Sequence, residues 1–143
     1  MSPKIMQYFK RDQFARYVGI DLLEVSEGKA VARMKIEKHH LNGVGIVHGA
    51  AIFSLADLAF AVASNSHGTV AVAINVNITF LKAVSRGTLI ASAEEVSRNP
   101  KLGNYRIQVR NEEDELIAVF DGLVYRKKEP LPLDAADTAG DGQ

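Results

Sequence analysis

The chain has 143 residues, 47% of them apolar, with 17 basic and 17 acidic side chains. This composition is typical of a globular protein, and the length suffices for one domain with its own hydrophobic core. Residues 1–128 carry a net charge of +4 because four acids lie from Glu129 onward, which is too weak an excess to indicate a nucleic-acid partner. The lack of cysteine excludes disulfides, thiolate metal sites and a cysteine nucleophile.

The N-terminal stretch is charged and amphipathic. Residues 4–17 place apolar side chains at helical spacing after Pro3, and Gly19 ends the pattern. We therefore expect one short helix that lies across another element. The stretch is too charged for the apolar region of a signal peptide, so we expect a cytoplasmic protein.

Alternating and β-branched segments predict six strands. Two of them, Ile20–Ser26 and Lys29–Glu37, are joined by a turn at Gly28. The apolar run 69–81 should be a central strand covering the long helix, since it is too apolar for a surface strand. Three further strands are expected at residues 88–97, 104–111 and 116–126. These strands belong to a single predicted domain, residues 1–128, and the polar, acidic segment 129–143 is predicted to be disordered.

The segment Leu41–Asn65 is the centre of the predicted fold. A loop containing Asn42 and His48 runs into an apolar stretch from Gly49 to about Ser64, rich in Ala, Leu and Phe, which favours a helix. A membrane span needs about 20 apolar residues, and this stretch is shorter with Asp57 in its middle. We expect a core helix with the antiparallel sheet rolled around it, an α+β arrangement.

Two residues of this segment are candidates for chemistry. The N–H groups of the first turn, from Gly49 onward, lie at the positive end of the helix and would stabilise an anion or a developing oxyanion. Asp57 is costly inside an apolar helix unless it is paired or used. The alternatives are a plain glycine-rich turn and a buried carboxylate paired with a serine or a backbone amide.

The spacing of these two residues has a consequence for assembly. Eight residues of helix separate them by about 12 Å, since each residue rises ~1.5 Å. One carbonyl group cannot be bound at Gly49 and attacked near Asp57 of the same chain, because reacting atoms lie about 3 Å apart. If the two residues cooperate, an antiparallel second copy of the helix must supply one of them, as in a twofold dimer.

Three motifs together resemble the hotdog-fold acyl-CoA thioesterases of the PaaI type. They are N-G-x-G-x-x-H-G at residues 42–49, F-S-L-A-D-x-A-F-A-x-A-x-N-S at 53–66, and A-V-A-x-x-x-x-I-x-F at 71–80. The order of elements over residues 18–127 is also similar to that family. The resemblance implies a hotdog fold and a homodimer that assembles into a homotetramer, with active sites at the subunit interface.

The resemblance also implies roles for individual residues. Gly49 N–H would polarise the thioester carbonyl, and Asp57 of the opposite subunit would be the nucleophile or the general base for water. Asn42 and His48 would position substrate, water or the neighbouring loop. The family's second helix-start glycine is Ala50 here, which keeps its backbone N–H but adds a methyl group beside the acyl group.

By the same resemblance, the CoA arm would pass basic residues of two loops, Lys82 in the first and Arg98 and Lys101 in the second. Some relatives carry a serine or threonine on the strand after the helix. If Ala73 occupies that place, Asn75 and Asn77 are the candidates to replace it. No cofactor beyond substrate CoA and no metal site is expected, because no ligand motif is present.

The main functional hypothesis is therefore hydrolysis of acyl-CoA thioesters, with an aryl or medium-chain acyl group. A non-catalytic acyl-CoA binding or sensing module is the alternative, and a hydratase acting on enoyl-CoA is a third. The acyl pocket is expected to be lined by Phe53, Leu58, Phe60 and Val62.

Overall fold

The structure, a computed structural model, describes residues 1–134 of the chain. Its helices are α1 (Ser2–Phe9), α2 (Gln13–Val18) and α3 (Gly49–Asn65), with a 3-10 turn at Lys38–His40. The strands are β1 (Ile20–Ser26), β2 (Lys29–Lys35), β3 (Thr69–Phe80), β4 (Thr88–Arg98), β5 (Leu102–Arg110) and β6 (Leu116–Pro130).

The six strands form one antiparallel sheet in the order β1-β2-β4-β5-β6-β3. Helix α3 packs across one face of this sheet, and its sheet-facing side chains are fully buried. The predicted arrangement, an antiparallel sheet wrapped around a long central helix, is confirmed.

The centre of the core is an aromatic cluster between α3 and the sheet. The ring of Phe60 lies 6.0 Å from that of Tyr105 and 5.4 Å from that of Phe120, centroid to centroid. Gly122 of β6 makes room for this packing, because a Cβ atom at that position would lie 2.5 Å from Cζ of Phe60. The helix and the sheet are thus fitted closely at this point, and the opposite side of α3 is left uncovered.

The N-terminal segment differs from its prediction. It forms two short helices, α1 and α2, where one helix over residues 4–17 was expected. The break occurs because Asp12 adopts an extended backbone and its carboxylate accepts a hydrogen bond from the Ala15 N–H at 2.9 Å, which starts a new helix.

Strand β3 also differs from its prediction. The expectation of a central strand is wrong: β3 lies at the sheet edge and pairs only with β6, and the segment after it crosses back to the middle of the sheet. Much of the strand is exposed in this single chain, including Val72, Ile74 and Phe80. A long apolar edge strand is a surface on which another chain can pair.

The described structure continues beyond residue 128, the predicted domain boundary. Strand β6 continues to Pro130, and Leu131 is buried with its N–H donating to the carbonyl of Gly68. The rest of the predicted disordered tail, residues 135–143, lies outside the described residues.

Candidate active site

The loop before α3 is held by its own side chains. The Asn42 side-chain oxygen accepts hydrogen bonds from the N–H groups of Val44 at 3.0 Å and Ile46 at 3.3 Å. The N–H of His48 donates to the carbonyl of His40 at 2.7 Å, which fixes the point where the helix begins. Asn42 therefore shapes the loop that delivers His48 to the helix start.

One N–H group of the first helical turn is left without a partner. The His48 ring accepts the Ala50 N–H at Nδ1, 3.0 Å away, and the His48 carbonyl accepts the N–H groups of Ala51 and Ile52. Among the described residues, the N–H of Gly49 has no acceptor. The positive end of α3 thus offers a single unpaired donor at Gly49.

An open groove of about 830 Å³ runs along the uncovered face of α3 from this donor. Its lining comes from α3, from the end of β3 and from the start of α2. The ring of Phe80 covers the helix start, since a Cβ atom on Gly49 would lie 3.1 Å from its Cζ. The residues that line the groove are Asp12, Phe14, Ala15, Gly49, Ala50, Phe53, Ser54, Asp57, Leu58, Ala61, Ile78 and Phe80.

Asp57 lies half-buried in the middle of the same groove. Burial raises the pKa of its carboxyl above the ordinary value of 3.8, and the negative charge of Asp12 raises it further. Within residues 1–134 we find no hydrogen bond to this carboxylate, so the expected alternative of a pairing with a serine or a backbone amide is not found there. A desolvated, unpaired carboxylate of raised pKa is typical of a functional site.

The predicted acyl-pocket residues divide between the groove and the core. Phe53 and Leu58 line the groove, as expected. Phe60 and Val62 do not, because both are fully buried in the hydrophobic core. An apolar helix gives no periodic signal for which side will face the sheet, and this is why the sequence did not separate the two pairs.

The candidate CoA-binding cations lie at opposite ends of α3. Lys82 follows β3 near the helix start and forms an ion pair with Glu115. Arg98 and Lys101 lie near the other end, where Arg98 Nε is 3.8 Å from an oxygen of Glu95. Helix α3 is roughly 25 Å long at ~1.5 Å per residue, so one chain does not bring these cations together.

A hydrogen-bond network anchors the far end of α3. Glu95 Oε1 accepts the Tyr105 hydroxyl at 2.7 Å and lies 2.8 Å from Nε2 of His67, which directly follows the helix. Burial alone would raise the pKa of Glu95, but these hydrogen bonds and the charge of Arg98 hold it below its usual value. Burial and this carboxylate raise the pKa of Tyr105. The network is structural, because it ties the helix end to the sheet away from the groove.

The two residues considered as replacements for the missing polar group do not line the groove. Asn75 and Asn77 lie opposite Leu123 and Asp121 of β6, on the face of the sheet that points away from α3. The described residues contain no group of three histidine, cysteine, aspartate or glutamate side chains arranged to hold a metal. Within residues 1–134, every helix is too short or too polar to span a bilayer.

Phe80 and Asp12 are among the groove residues that the sequence reasoning missed. Phe80 appeared there only as a motif position, and its place over Gly49 depends on the crossing of β3 and α3. Asp12 lay inside the single helix expected over residues 4–17, although an aspartate before a new helical turn is a common N-cap signal. Both residues reach the groove through contacts between elements that are distant along the chain.

Comparison with known proteins gives consistent matches. The sequence profile of the thioesterase superfamily matches residues 44–118. A putative esterase of Archaeoglobus fulgidus is 44% identical over 92% of this chain and 87% of its own. The acyl-coenzyme A thioesterase PaaI of Escherichia coli is 39% identical over 82% of this chain and 85% of its own. The solved structure of the E. coli PaaI protein from the phenylacetic acid degradation operon superposes with a TM-score of 0.84, at 36% identity, covering 90% of this chain and 97% of that one.

Proposed function

The chain belongs to the thioesterase superfamily, and from this premise we propose that it hydrolyses acyl-CoA thioesters to a free acid and CoA. The similarity to the E. coli acyl-coenzyme A thioesterase PaaI supports this reaction. The observation that carries the proposal is the pairing of chemical groups in one groove. An unpartnered N–H at a helix start and a carboxylate of raised pKa face the same apolar space.

The working enzyme is a twofold dimer in this proposal, assembling further into a homotetramer. Gly49 and Asp57 lie about 12 Å apart along one helix axis, too far to act on one carbonyl group. If Gly49 of one subunit meets Asp57 of the other, the twofold axis passes close to Phe53, midway between them. The exposed apolar strand β3 and the uncovered face of α3 offer the surface for this contact.

The reaction then needs few groups. The Gly49 N–H donates a hydrogen bond to the thioester oxygen and stabilises the oxyanion that forms there. Acting as a base, the partner's Asp57 takes a proton from water, the hydroxide attacks the carbonyl carbon, the C–S bond breaks, and the proton passes to the CoA sulfur. Acting as a nucleophile, the same carboxylate attacks the carbonyl carbon, the C–S bond breaks and CoA leaves as the thiolate. Water then hydrolyses the mixed anhydride to the free acid, which regenerates the carboxylate and releases the proton that the CoA sulfur takes up. Both routes remain within the proposal.

Asn42 and His48 act through the shape of the helix start. Asn42 holds the loop, and His48 satisfies the Ala50 N–H, which leaves the Gly49 N–H as the donor presented to substrate. Truncating either side chain should therefore loosen the position of this donor.

The twofold dimer also supports a path for the CoA arm. Antiparallel pairing would bring the far end of the partner's α3, with its Arg98 and Lys101, beyond the start of this helix. Lys82 lies at that same end in its own chain. The three cations would then surround the phosphates of one CoA.

The acyl group should be aryl or medium-chain. The groove is apolar, with the rings of Phe53 and Phe80 close to the Gly49 donor. The E. coli structural relative comes from a phenylacetic acid degradation operon, which supports an aromatic acid. A cytoplasmic location stays a prediction.

Free-thiol release from a panel of CoA thioesters tests the proposal. The panel contains phenylacetyl, hydroxybenzoyl, short-chain and long-chain acyl groups. We expect turnover by the wild type and its loss in Asp57→Asn, while Asp121→Asn, an acid on the outer face of β6, keeps full activity. Acyl-CoA binding without thiol release would contradict hydrolysis and favour the binding-module alternative. With an enoyl-CoA added to the panel, loss of its absorbance without thiol release would instead reveal a hydratase.

A further inference from the structure

We propose that Asp12 is a positioning residue whose charge acts on the Asp57 carboxylate through the groove that both residues line, and makes it a stronger base. The inference rests on the proposed function, in which Asp57 activates water or attacks the thioester. Asp12 touches no reacting atom in this account. Its effect reaches the reaction through the charge state of Asp57.

The position of Asp12 is fixed by the start of α2. Its backbone is extended, with φ −64° and ψ 110°, and its Oδ1 accepts the Ala15 N–H at 2.9 Å. Helix α2 packs against α3 and is capped by Gly19, and the carbonyl of Val18 lies 2.5 Å from Nε2 of His40. The carboxylate is thus held on one wall of the groove that also contains Asp57.

The neighbouring charges do not neutralise this carboxylate by direct contact. Lys10, Arg11 and Arg16 belong to its own segment, but within residues 1–134 none of them forms an ion pair with it, and Nη1 of Arg11 is buried without a hydrogen-bond partner. Asp21 of β1 and Arg33 of β2 share the adjoining cavity and pair with each other at 3.4 Å. Asp57 is the one charged side chain that α3 contributes to the groove, and the two side chains from β3, Ile78 and Phe80, are apolar.

The physical effect follows from two like charges beside an apolar wall. A nearby negative charge disfavours ionisation of a carboxyl group, and the interaction is stronger where water is partly excluded. Burial is the larger cause of the raised Asp57 pKa, and the charge of Asp12 is the second. A carboxylate of higher pKa is a stronger base towards water.

The variant Asp12→Asn separates this charge from the structural role of the side chain. Asparagine caps helices as well as aspartate does, so α2 should keep its start. The carboxyl of Asp57 is titrated by carbon-13 NMR in the assembled wild type and in the variant. We expect its midpoint to move to lower pH in the variant without reaching the ordinary value, because burial remains.

Two controls accompany this titration. Asp114→Asn removes an exposed acid from the turn after β5, and it should leave the Asp57 midpoint unchanged. If Asp12→Asn does not fold, Asp12→Ser offers a second uncharged cap. An Asp57 midpoint that is the same in the wild type and in a folded uncharged variant would overturn the proposal.

Kinetics give the second readout. In Asp12→Asn the acidic limb of the kcat profile should move to lower pH, and kcat on its plateau should fall by about two- to tenfold, a small part of the total effect of acid–base catalysis. The NMR titration needs no turnover. A shifted midpoint in a protein that hydrolyses no thioester would contradict the proposed function but not the coupling, whereas active enzyme with an unshifted midpoint would refute the role of Asp12 alone.

Discussion

A Gly49→Pro substitution removes one hydrogen-bond donor from the groove and leaves the rest of the helix start in place. The Gly49 N–H has no acceptor among the described residues, so no internal hydrogen bond is lost. Proline is favoured at the first position of a helix. His48, with φ −62° and ψ 136°, already has the extended backbone that a residue before proline requires.

The structure separates the expected effects on stability and on catalysis. Proline at a compatible position stabilises by about 0.4–1 kcal/mol through the unfolded chain. Crowding works against this, because the new Cβ would lie 3.1 Å from Cζ of Phe80, but that ring is half exposed and can move. The free energy of unfolding should therefore change by less than about 1 kcal/mol. Losing one oxyanion donor should lower kcat by about 10²–10³-fold, or roughly 2.7–4 kcal/mol.

Gly49→Ala is the matched control, because it adds the same Cβ and keeps the N–H. Steady-state thiol release is measured for the wild type and both variants, with thermal unfolding to confirm the fold. We expect the proline variant to turn over about 10² times more slowly than the alanine variant. Rates within threefold of each other would refute the assignment of this N–H as the oxyanion donor.

Three further substitutions test the packing and the charges. Gly122→Ala should lower the free energy of unfolding by about 1–3 kcal/mol, since the methyl group would overlap the buried ring of Phe60. An unchanged midpoint of urea unfolding would contradict this. Tyr105→Phe should lower the free energy of unfolding by about 1–3 kcal/mol because its hydroxyl donates to Glu95 in a partly buried network. The exposed Tyr125→Phe should cost nothing measurable, and equal losses would refute the reasoning. Asp57→Asn should raise the free energy of unfolding at pH 7 by up to about 1 kcal/mol. The Asp57 pKa is raised in the folded state, so the wild type loses stability as the pH rises above 3.8, whereas the Asp57→Asn variant does not. Thermal unfolding is measured at several pH values, and a wild type that gained stability over the variant as the pH rose would contradict this prediction.

The central helix could be predicted because several local signals agreed. The run from Gly49 lacks β-branched clusters, begins after a glycine-rich loop, and is too short for a membrane span with Asp57 in its middle. These features depend only on neighbouring residues. The structure gives α3 the predicted start and extends it one residue beyond the predicted end.

The position of β3 could not be predicted from its pattern. An apolar strand is expected to be buried, but the sequence does not say whether its own chain or a second copy buries it. In the single chain, Ile74 is 54% exposed at the sheet edge. The same ambiguity affected α3. Phe53 lines the groove and Phe60 is fully buried, although the two residues lie on nearly the same side of the helix and both pack against Phe120.

The contribution of Asp12 depends on tertiary geometry that the sequence does not encode locally. Its capping role is a local signal, but its approach to Asp57 requires α2 to fold back over α3 across more than forty residues of chain. Charge–charge effects of this kind become visible only when the elements are placed in space.

The central claim, that one site takes Gly49 from one subunit and Asp57 from the other, is tested most directly by mixing two inactive variants. Gly49→Pro and Asp57→Asn subunits are co-expressed in equal amounts, and thiol release is compared with each parent. In a mixed dimer, one site carries both defects and the other carries neither. Random pairing should restore about a quarter of wild-type activity, since half of the dimers are mixed and each has one intact site. Activity no higher than that of the two parents would contradict a shared site.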